Sequence, residues 1–91
     1  MLDFIQAKGA LVDREIVELI HMRDLIRFGK ARDLRIDAGL SCVEVARALG
    51  VHKVTLYHWE RGSHRPRGEA AVKYAAFLLD LESLPGAQRS P

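Results

Sequence analysis

The spacing of apolar and polar residues predicts a chain of helices, most of them ended by glycine. The first ten residues are weakly patterned, and Leu2 and Ile5 predict one helical turn that Gly9 ends. From Asp13, which can cap a helix, the pattern predicts a helix to about Phe28. Residues on one face of that helix form a wide apolar stripe: Val12, Ile16, Leu19 and Ile26, widened by Val17, Ile20 and Leu25.

The next two predicted helices are short. The second covers about 30–38, and Gly39 suits the left-handed residue that closes a helix. Ser41 and Glu44 have the three-residue spacing of a capping box, which predicts the start of the third helix. This helix stops at Gly50, which permits the positive φ of a tight turn. The inward positions of the two helices are Ala31, Leu34 and Ile36, then Val45, Ala46 and Leu49.

The last two predicted helices flank a polar loop. The fourth covers about 52–61, with small, polar and basic side chains outward and Val51, Leu56 and Trp59 inward. The loop over 63–68 contains a proline and no apolar residue, and a flexible tail is expected over 84–91. The fifth helix covers about 69–82 and buries Ala71 or Val72, Ala75, Leu78 and Leu79.

Length and composition favour one small all-α domain, a compact bundle of about five helices. The chain has 91 residues, of which 48% are hydrophobic, enough for a single core. No window approaches the roughly 18 apolar residues of a membrane span, and the first residues lack the features of a secretory signal. The lone cysteine cannot form an internal disulfide, so we expect a cytoplasmic protein.

Basic residues are concentrated in the middle of the chain. The formal net charge is only +2, but residues 47–73 contain six basic and two acidic side chains, a net of +4. Three histidines lie in the same stretch. This distribution indicates either a polyanionic partner or a solvated basic surface.

The segment from Leu34 to Pro66 resembles the XRE-like helix-turn-helix family of phage repressors and Cro-like regulators. The matching residues are Leu34-Arg35, Gly39-Leu40-Ser41, Val45-Ala46, Leu49-Gly50-Val51, Thr55-Leu56, Trp59-Glu60-Arg61-Gly62 and Arg65-Pro66. The resemblance implies a lambda-repressor-like DNA-binding domain over 29–83, preceded by a helical extension over 1–28. It also implies an ion pair between Arg35 and Glu60.

The resemblance places the base-reading residues on the outer face of the fourth helix: Lys53, Val54, Tyr57 and His58. Lysine donates to guanine O6 and N7, valine packs on a thymine methyl, and histidine donates to or accepts from a base edge. The structural alternative is an ordinary exposed helix face.

The resemblance also places phosphate contacts around that helix, at Ser41, Cys42, His52, Arg61, Ser63, Arg65 and Arg67. Such contacts position the protein and supply salt-dependent affinity without reading sequence. Two residues depart from the family pattern, because Cys42 replaces a common glutamine and His52 replaces a small capping hydroxyl. Cys42 is therefore expected to contact a phosphate through its backbone only, whereas His52, a poor helix cap, is expected to face a phosphate.

No enzyme, metal or cofactor chemistry is predicted. His52, His58 and His64 are six residues apart, which does not place them on one helix face or match a zinc site. There is no glycine-rich phosphate loop, nucleophile elbow or convincing carboxylate pair. Cys42 follows a helix cap, which could lower its pKa, but it has no recognisable catalytic partner.

The expected function is sequence-specific binding of double-stranded DNA by a phage or bacterial regulator in the cytoplasm, associated with the nucleoid when bound. The expected partner besides DNA is a second copy, bound through the N-terminal helix or the helix at about 69–82. The N-terminal helix either packs back on the domain or forms that interface. The alternatives are an antitoxin, an architectural DNA binder and a protein-interaction module. No membrane or small-molecule ligand is evident.

Overall fold

The computed structural model describes the backbone of residues 2–84 and the side chains of residues 14–84. Its described part is all helical, which confirms the predicted fold class. The predicted tail over 84–91 lies, apart from Leu84, outside the described residues. The helices are α1 (Leu2–Arg27), α2 (Lys30–Asp37), α3 (Cys42–Leu49), α4 (Lys53–Arg61) and α5 (Gly68–Ser83).

Helix α1 is longer than the sequence predicted. It runs without interruption from Leu2 to Arg27, so the predicted helix end at Gly9 and helix start at Asp13 are both wrong. A glycine inside a helix costs only about 1 kcal/mol relative to alanine. The good helix formers on either side of Gly9 therefore carry the helix through it.

The C-terminal half of α1 belongs to the core of the domain. Met22 and Leu25 are buried at 1% and 5% exposure, and Leu19 and Ile26 pack against the same core. The preceding turns contribute less than expected, because Ile16, Val17 and Ile20 remain 46–61% exposed. The side chain of Val12 lies outside the described residues. The predicted apolar stripe is therefore covered only over its second half.

Helix α2 presents a narrower apolar face than predicted. Ala31 is buried and Leu34 packs against the core, as expected, but Ile36 is 46% exposed. Residues two apart on a helix do not share a face. Once Leu34 points inward, Ile36 must therefore point away from the core.

The connection between α2 and α3 follows the sequence signals. Gly39 has a φ of 75° and closes the end of α2. Ser41 caps α3, because its hydroxyl accepts from the Glu44 N–H at 3.0 Å while the Glu44 carboxylate accepts from the Ser41 N–H at 2.8 Å. This capping box is the predicted one. Val45, Ala46 and Leu49 are buried, also as predicted.

A tight turn at Gly50 joins α3 to α4. Gly50 has a φ of 74°, in the left-handed region that other residues rarely adopt. The following Val51 N–H donates to the Ala46 carbonyl at 2.9 Å, which fixes the direction in which the chain leaves α3. Leu56 and Trp59 of α4 are then buried, and Ala46 is small enough to let the two helices approach closely.

Helix α5 closes the core and supplies a residue that the sequence pattern did not predict. Ala71 is buried, whereas Val72 is 38% exposed, so the first of the two predicted alternatives is correct. Tyr74 is also buried, and its ring lies 5.1 Å from that of Trp59. Burial raises the pKa of its phenol, and its hydroxyl has no hydrogen-bond partner among the described residues. The other buried residues of α5 are Ala75, Leu78 and Leu81, with Leu79 half-buried.

Within residues 2–84, no helix has both the length and the apolar content needed to cross a lipid bilayer.

The longest helix, α1, is joined to α5 by a contact between His21 Nε2 and Glu82 Oε1 of 2.6 Å. This contact lies beyond the apolar core formed between the two helices and helps to fix their relative position.

Candidate nucleic-acid interface

The outer face of α4 is polar and open to solvent. Lys53, Val54 and Tyr57 are all exposed, the last two at 49% and 47%. Tyr57 lies three residues after Val54 and four after Lys53, the spacings that bring side chains to one side of a helix, whereas Leu56 and Trp59 point into the core. The side chains that point into the core therefore leave three predicted base-reading residues facing outward together.

His58 differs from the other three predicted base-reading residues, because it is half-buried rather than exposed. Its Nδ1 is shielded from solvent and has no hydrogen-bond partner among the described residues. The centre of its ring lies 4.4 Å from that of His64 in the following loop, with the two ring planes tilted by 44°. His58 lies between Tyr57, which faces outward, and Trp59, which is buried, so it occupies the edge between the two faces. The sequence alone did not show that His64 covers it.

Arg61 and Tyr57 form a second contact at the C-terminal end of α4. The guanidinium carbon of Arg61 lies 4.5 Å from the centre of the Tyr57 ring, in cation–π geometry. This contact restrains two long side chains that would otherwise be mobile on the surface. It also places a positive charge beside the exposed face of α4.

The loop after α4 holds three of the seven predicted phosphate-contacting residues in exposed positions: Ser63, Arg65 and Arg67. The Ser63 N–H donates to the His58 carbonyl at 2.9 Å, and Pro66 is buried. The loop is therefore fixed at both places while its basic side chains remain in solvent. Exposed arginines on a fixed loop, beside the solvent-facing side of α4, suit contacts to a polyanion.

The N-terminus of α3 offers fewer free donors than expected. The Ser41 N–H and the Glu44 N–H are both used in the capping box. The hydrogen bond that the Ser41 N–H donates to the Glu44 carboxylate lowers the pKa of that carboxyl. The N–H groups of Cys42 and Val43 belong to the first turn and have no partner within the helix. A phosphate at this end would therefore meet those two donors beside the negative charge of Glu44.

Cys42 is directed toward α4. Its Sγ lies 3.9 Å from the Lys53 carbonyl oxygen, and the side chain is half-buried. Burial raises the pKa of the thiol, whereas the position after the helix cap alone would favour a lower one. Loss of hydration, together with the charge of Glu60, outweighs the nearby charges of Arg35 and Lys53. Cys42 thus helps to pack α3 against the start of α4.

His52 occupies the N-cap position of α4 without capping it. Its side chain makes no hydrogen bond to the helix and is exposed. The α4 N-terminus therefore keeps unpaired N–H groups next to an exposed imidazole. Such groups favour an anion.

Arg35 and Glu60 form a bidentate ion pair between α2 and the end of α4. Arg35 Nε lies 2.6 Å from Glu60 Oε2, and Arg35 Nη2 lies 3.1 Å from Glu60 Oε1. Arg35 Nη1 also donates to the Leu40 carbonyl at 2.9 Å. The side chains are 13% and 5% exposed, and the hydrogen bond to Glu60 raises the pKa of Arg35. The Arg35 guanidinium thus links three parts of the chain: α2, the loop that precedes α3, and the last turn of α4.

The side chains of residues 14–84 include no group of three or more His, Cys, Asp or Glu residues close enough to hold a metal ion. The neighbouring imidazoles of His58 and His64 have no third such residue with them among these side chains.

Two short helices joined at Gly50, the second with an exposed polar face, define a helix-turn-helix protein. A family model described as a helix-turn-helix domain matches residues 29–82, more than half of the chain. The chain therefore belongs to the helix-turn-helix domain family. This agrees with the resemblance seen in its sequence.

The chain is also similar to the transcriptional repressor RstR of the cryptic phage CTXphi from Vibrio cholerae. The two are 42% identical over 48 residues, which cover 53% of this chain and 43% of the relative. The chain thus spans less than half the length of this curated relative. No solved structure matches the chain.

Replacing Glu60 with alanine should destabilise the protein strongly. The change leaves the Arg35 charge buried without its partner, and breaking such a pair costs roughly 3 kcal/mol. Urea unfolding should show this loss, whereas Glu15→Ala, at an exposed position on α1, should stay within about 0.5 kcal/mol of wild type.

A double-mutant cycle separates the pair from the single side chains. Arg35→Met combined with Glu60→Ala should cost less than the sum of the two single changes, because no charge is then left unpaired. Additive losses, or a Glu60→Ala protein as stable as wild type, would contradict the importance of the pair.

Proposed function

We propose that this protein is a sequence-specific regulator of transcription that binds double-stranded DNA by inserting α4 into the major groove. Within this proposal it is a phage or bacterial repressor or Cro-like protein that acts on DNA in the bacterial cytoplasm. The name of the Vibrio cholerae relative supports the regulatory role, and the family match supports the binding mode.

The observation that carries the proposal is the exposed side of α4. Lys53, Val54 and Tyr57 face solvent together, while Trp59 and the Arg35–Glu60 pair fix the other side of the helix. A helix must be held rigidly by its inner face if its outer side chains are to discriminate between base pairs.

The proposed base contacts follow from the chemistry of each side chain. Lys53 donates to guanine O6 and N7, Val54 packs on a thymine methyl group, and Tyr57 reaches a base edge or a phosphate. His58 contributes less than the other three, because His64 covers one side of its ring.

The proposed phosphate contacts surround α4 on two sides. Exposed His52 and the free N–H groups of the α4 N-terminus lie at one end, and the basic loop lies at the other. Ser41 takes part through the first turn of α3, and Cys42 only through its backbone. The loop contacts come from Arg61, Ser63, Arg65 and Arg67.

Selection from a pool of random duplexes provides the test. We expect enrichment of a defined motif, and we expect Lys53→Ala to lose about 1–3 kcal/mol on that motif but little on random DNA. Arg65→Ala with Arg67→Ala should weaken both DNAs alike and flatten the salt dependence. An unenriched pool, or equal losses from Lys53→Ala on both DNAs, would contradict the proposal.

We also propose that the protein binds DNA as a homodimer through the uncovered face of α1. Ile16, Val17 and Ile20 expose three large apolar side chains one to four residues apart, on one side of a long helix. Such patches mark interaction sites. A second copy suits the patch, because a two-fold axis would present two α4 helices to two DNA half-sites.

The mass of the protein in solution tests this interface. Val17→Glu with Ile20→Glu should convert a dimer to a folded monomer and weaken binding to a two-half-site operator, because charged residues oppose burial of the face. Ile36→Glu, at a similarly exposed apolar position on α2, should leave the mass unchanged. A wild-type monomer that acquires an α1-dependent partner from its own operon would favour the antitoxin alternative instead.

A further inference from the structure

A basic cleft lies where the C-terminal half of α1 meets the loop that follows α4. It has a volume of about 290 Å³ and is lined by Arg23, Ile26, Arg27, Gly62, His64, Arg65 and Pro66. Three arginines and a histidine therefore surround one open space. The family resemblance assigns Arg65 to a phosphate contact, but no sequence motif includes Arg23 or Arg27.

The charges in this cleft are poorly neutralised within the protein. Neither Arg23 nor Arg65 has a carboxylate within 4.0 Å among the side chains of residues 14–84. Arg27 has only a distant contact with Asp24, at 3.8 Å, and both side chains are more than half exposed. Exposed pairs of this kind contribute little. Even with Asp24 counted, three guanidinium groups against one carboxylate leave the cleft with an excess of two positive charges.

Packing holds the two sides of the cleft in place. A Cβ atom built on Gly62 would lie 3.7 Å from Ile26 Cγ2, so α1 touches the chain where α4 ends. On the α1 side, Ile26 packs against the core, and on the loop side, Pro66 is buried. The basic side chains of α1 therefore remain beside those of the loop, and an anion would meet a preformed site.

We propose that this cleft is a phosphate-binding site and that its occupant is a backbone phosphate of the bound DNA. Its volume corresponds to roughly ten water molecules at about 30 Å³ each, enough for a phosphate group with part of its hydration shell. Arginine forks match phosphate oxygens, and Arg65 belongs to the loop that already faces DNA in the proposed function, on which this inference rests. Helix α1 thus extends the DNA-binding surface beyond the helix-turn-helix.

The salt dependence of binding to a random-sequence duplex tests the site, measured by fluorescence anisotropy. Each neutralised phosphate contributes about 0.9 to the slope of log K against log salt concentration. Arg23→Gln should lower that slope by about 1, and Arg23→Lys should restore most of it. Arg14→Gln removes the same charge from an exposed position of α1 that does not line the cleft, and it should leave the slope unchanged.

Equal slopes for Arg23→Gln and Arg14→Gln would overturn the inference, provided that both variants melt within a few degrees of wild type. A different experiment decides the proposed function, which fails if the wild-type protein does not select a DNA motif from random duplexes. Titration with inorganic pyrophosphate, followed by NMR of the His64 ring, distinguishes the source of the phosphate. Suppose that pyrophosphate binds saturably at micromolar concentration, and that Arg23→Gln abolishes this binding but keeps the wild-type salt slope on DNA. The cleft would then bind a free phosphate compound, and the DNA assignment would be overturned.

Discussion

The ion pair between Arg35 and Glu60 is the constraint on which the geometry of the candidate site depends. Glu60 is the one buried charged residue of the described chain, and it lies directly after Trp59 in the last turn of α4. Its carboxylate accepts from Nε and Nη2 of the Arg35 guanidinium, whose Nη1 donates to the Leu40 carbonyl. The orientation of α4 is thereby tied to α2 and to the start of α3, rather than to apolar packing alone.

Helix α1 has two different halves, and each has a separate consequence. The C-terminal half contributes Met22 and Leu25 to the core and brings Arg23 and Arg27 beside the loop after α4. The turns around Val17 expose an apolar face instead. A single helix thus connects a proposed subunit interface with a proposed phosphate site.

The sequence was most informative where local chemistry decides the structure. The Ser41–Glu44 capping box and the Gly50 turn depend on neighbouring residues, and both occur as predicted. The sequence was least informative where contacts form between different elements: His64 of the loop covers His58 of α4, and Tyr74 of α5 packs on Trp59 of α4. Ile36 was misjudged because it is apolar, although its spacing of two residues from Leu34 places it on the other side of the helix. The cleft of Arg23 and Arg65 joins residues far apart in sequence, so no motif indicates it.

Amide chemical-shift mapping during titration with a selected DNA duplex would test the central claim most directly. If α4 enters the major groove with its inner side fixed, the largest shifts should fall on residues 53–58 and on the loop over 61–67. The core positions Leu49 and Leu78 should change little. Shifts confined to the exposed turns of α1 and α5, with residues 53–58 unaffected, would contradict the account.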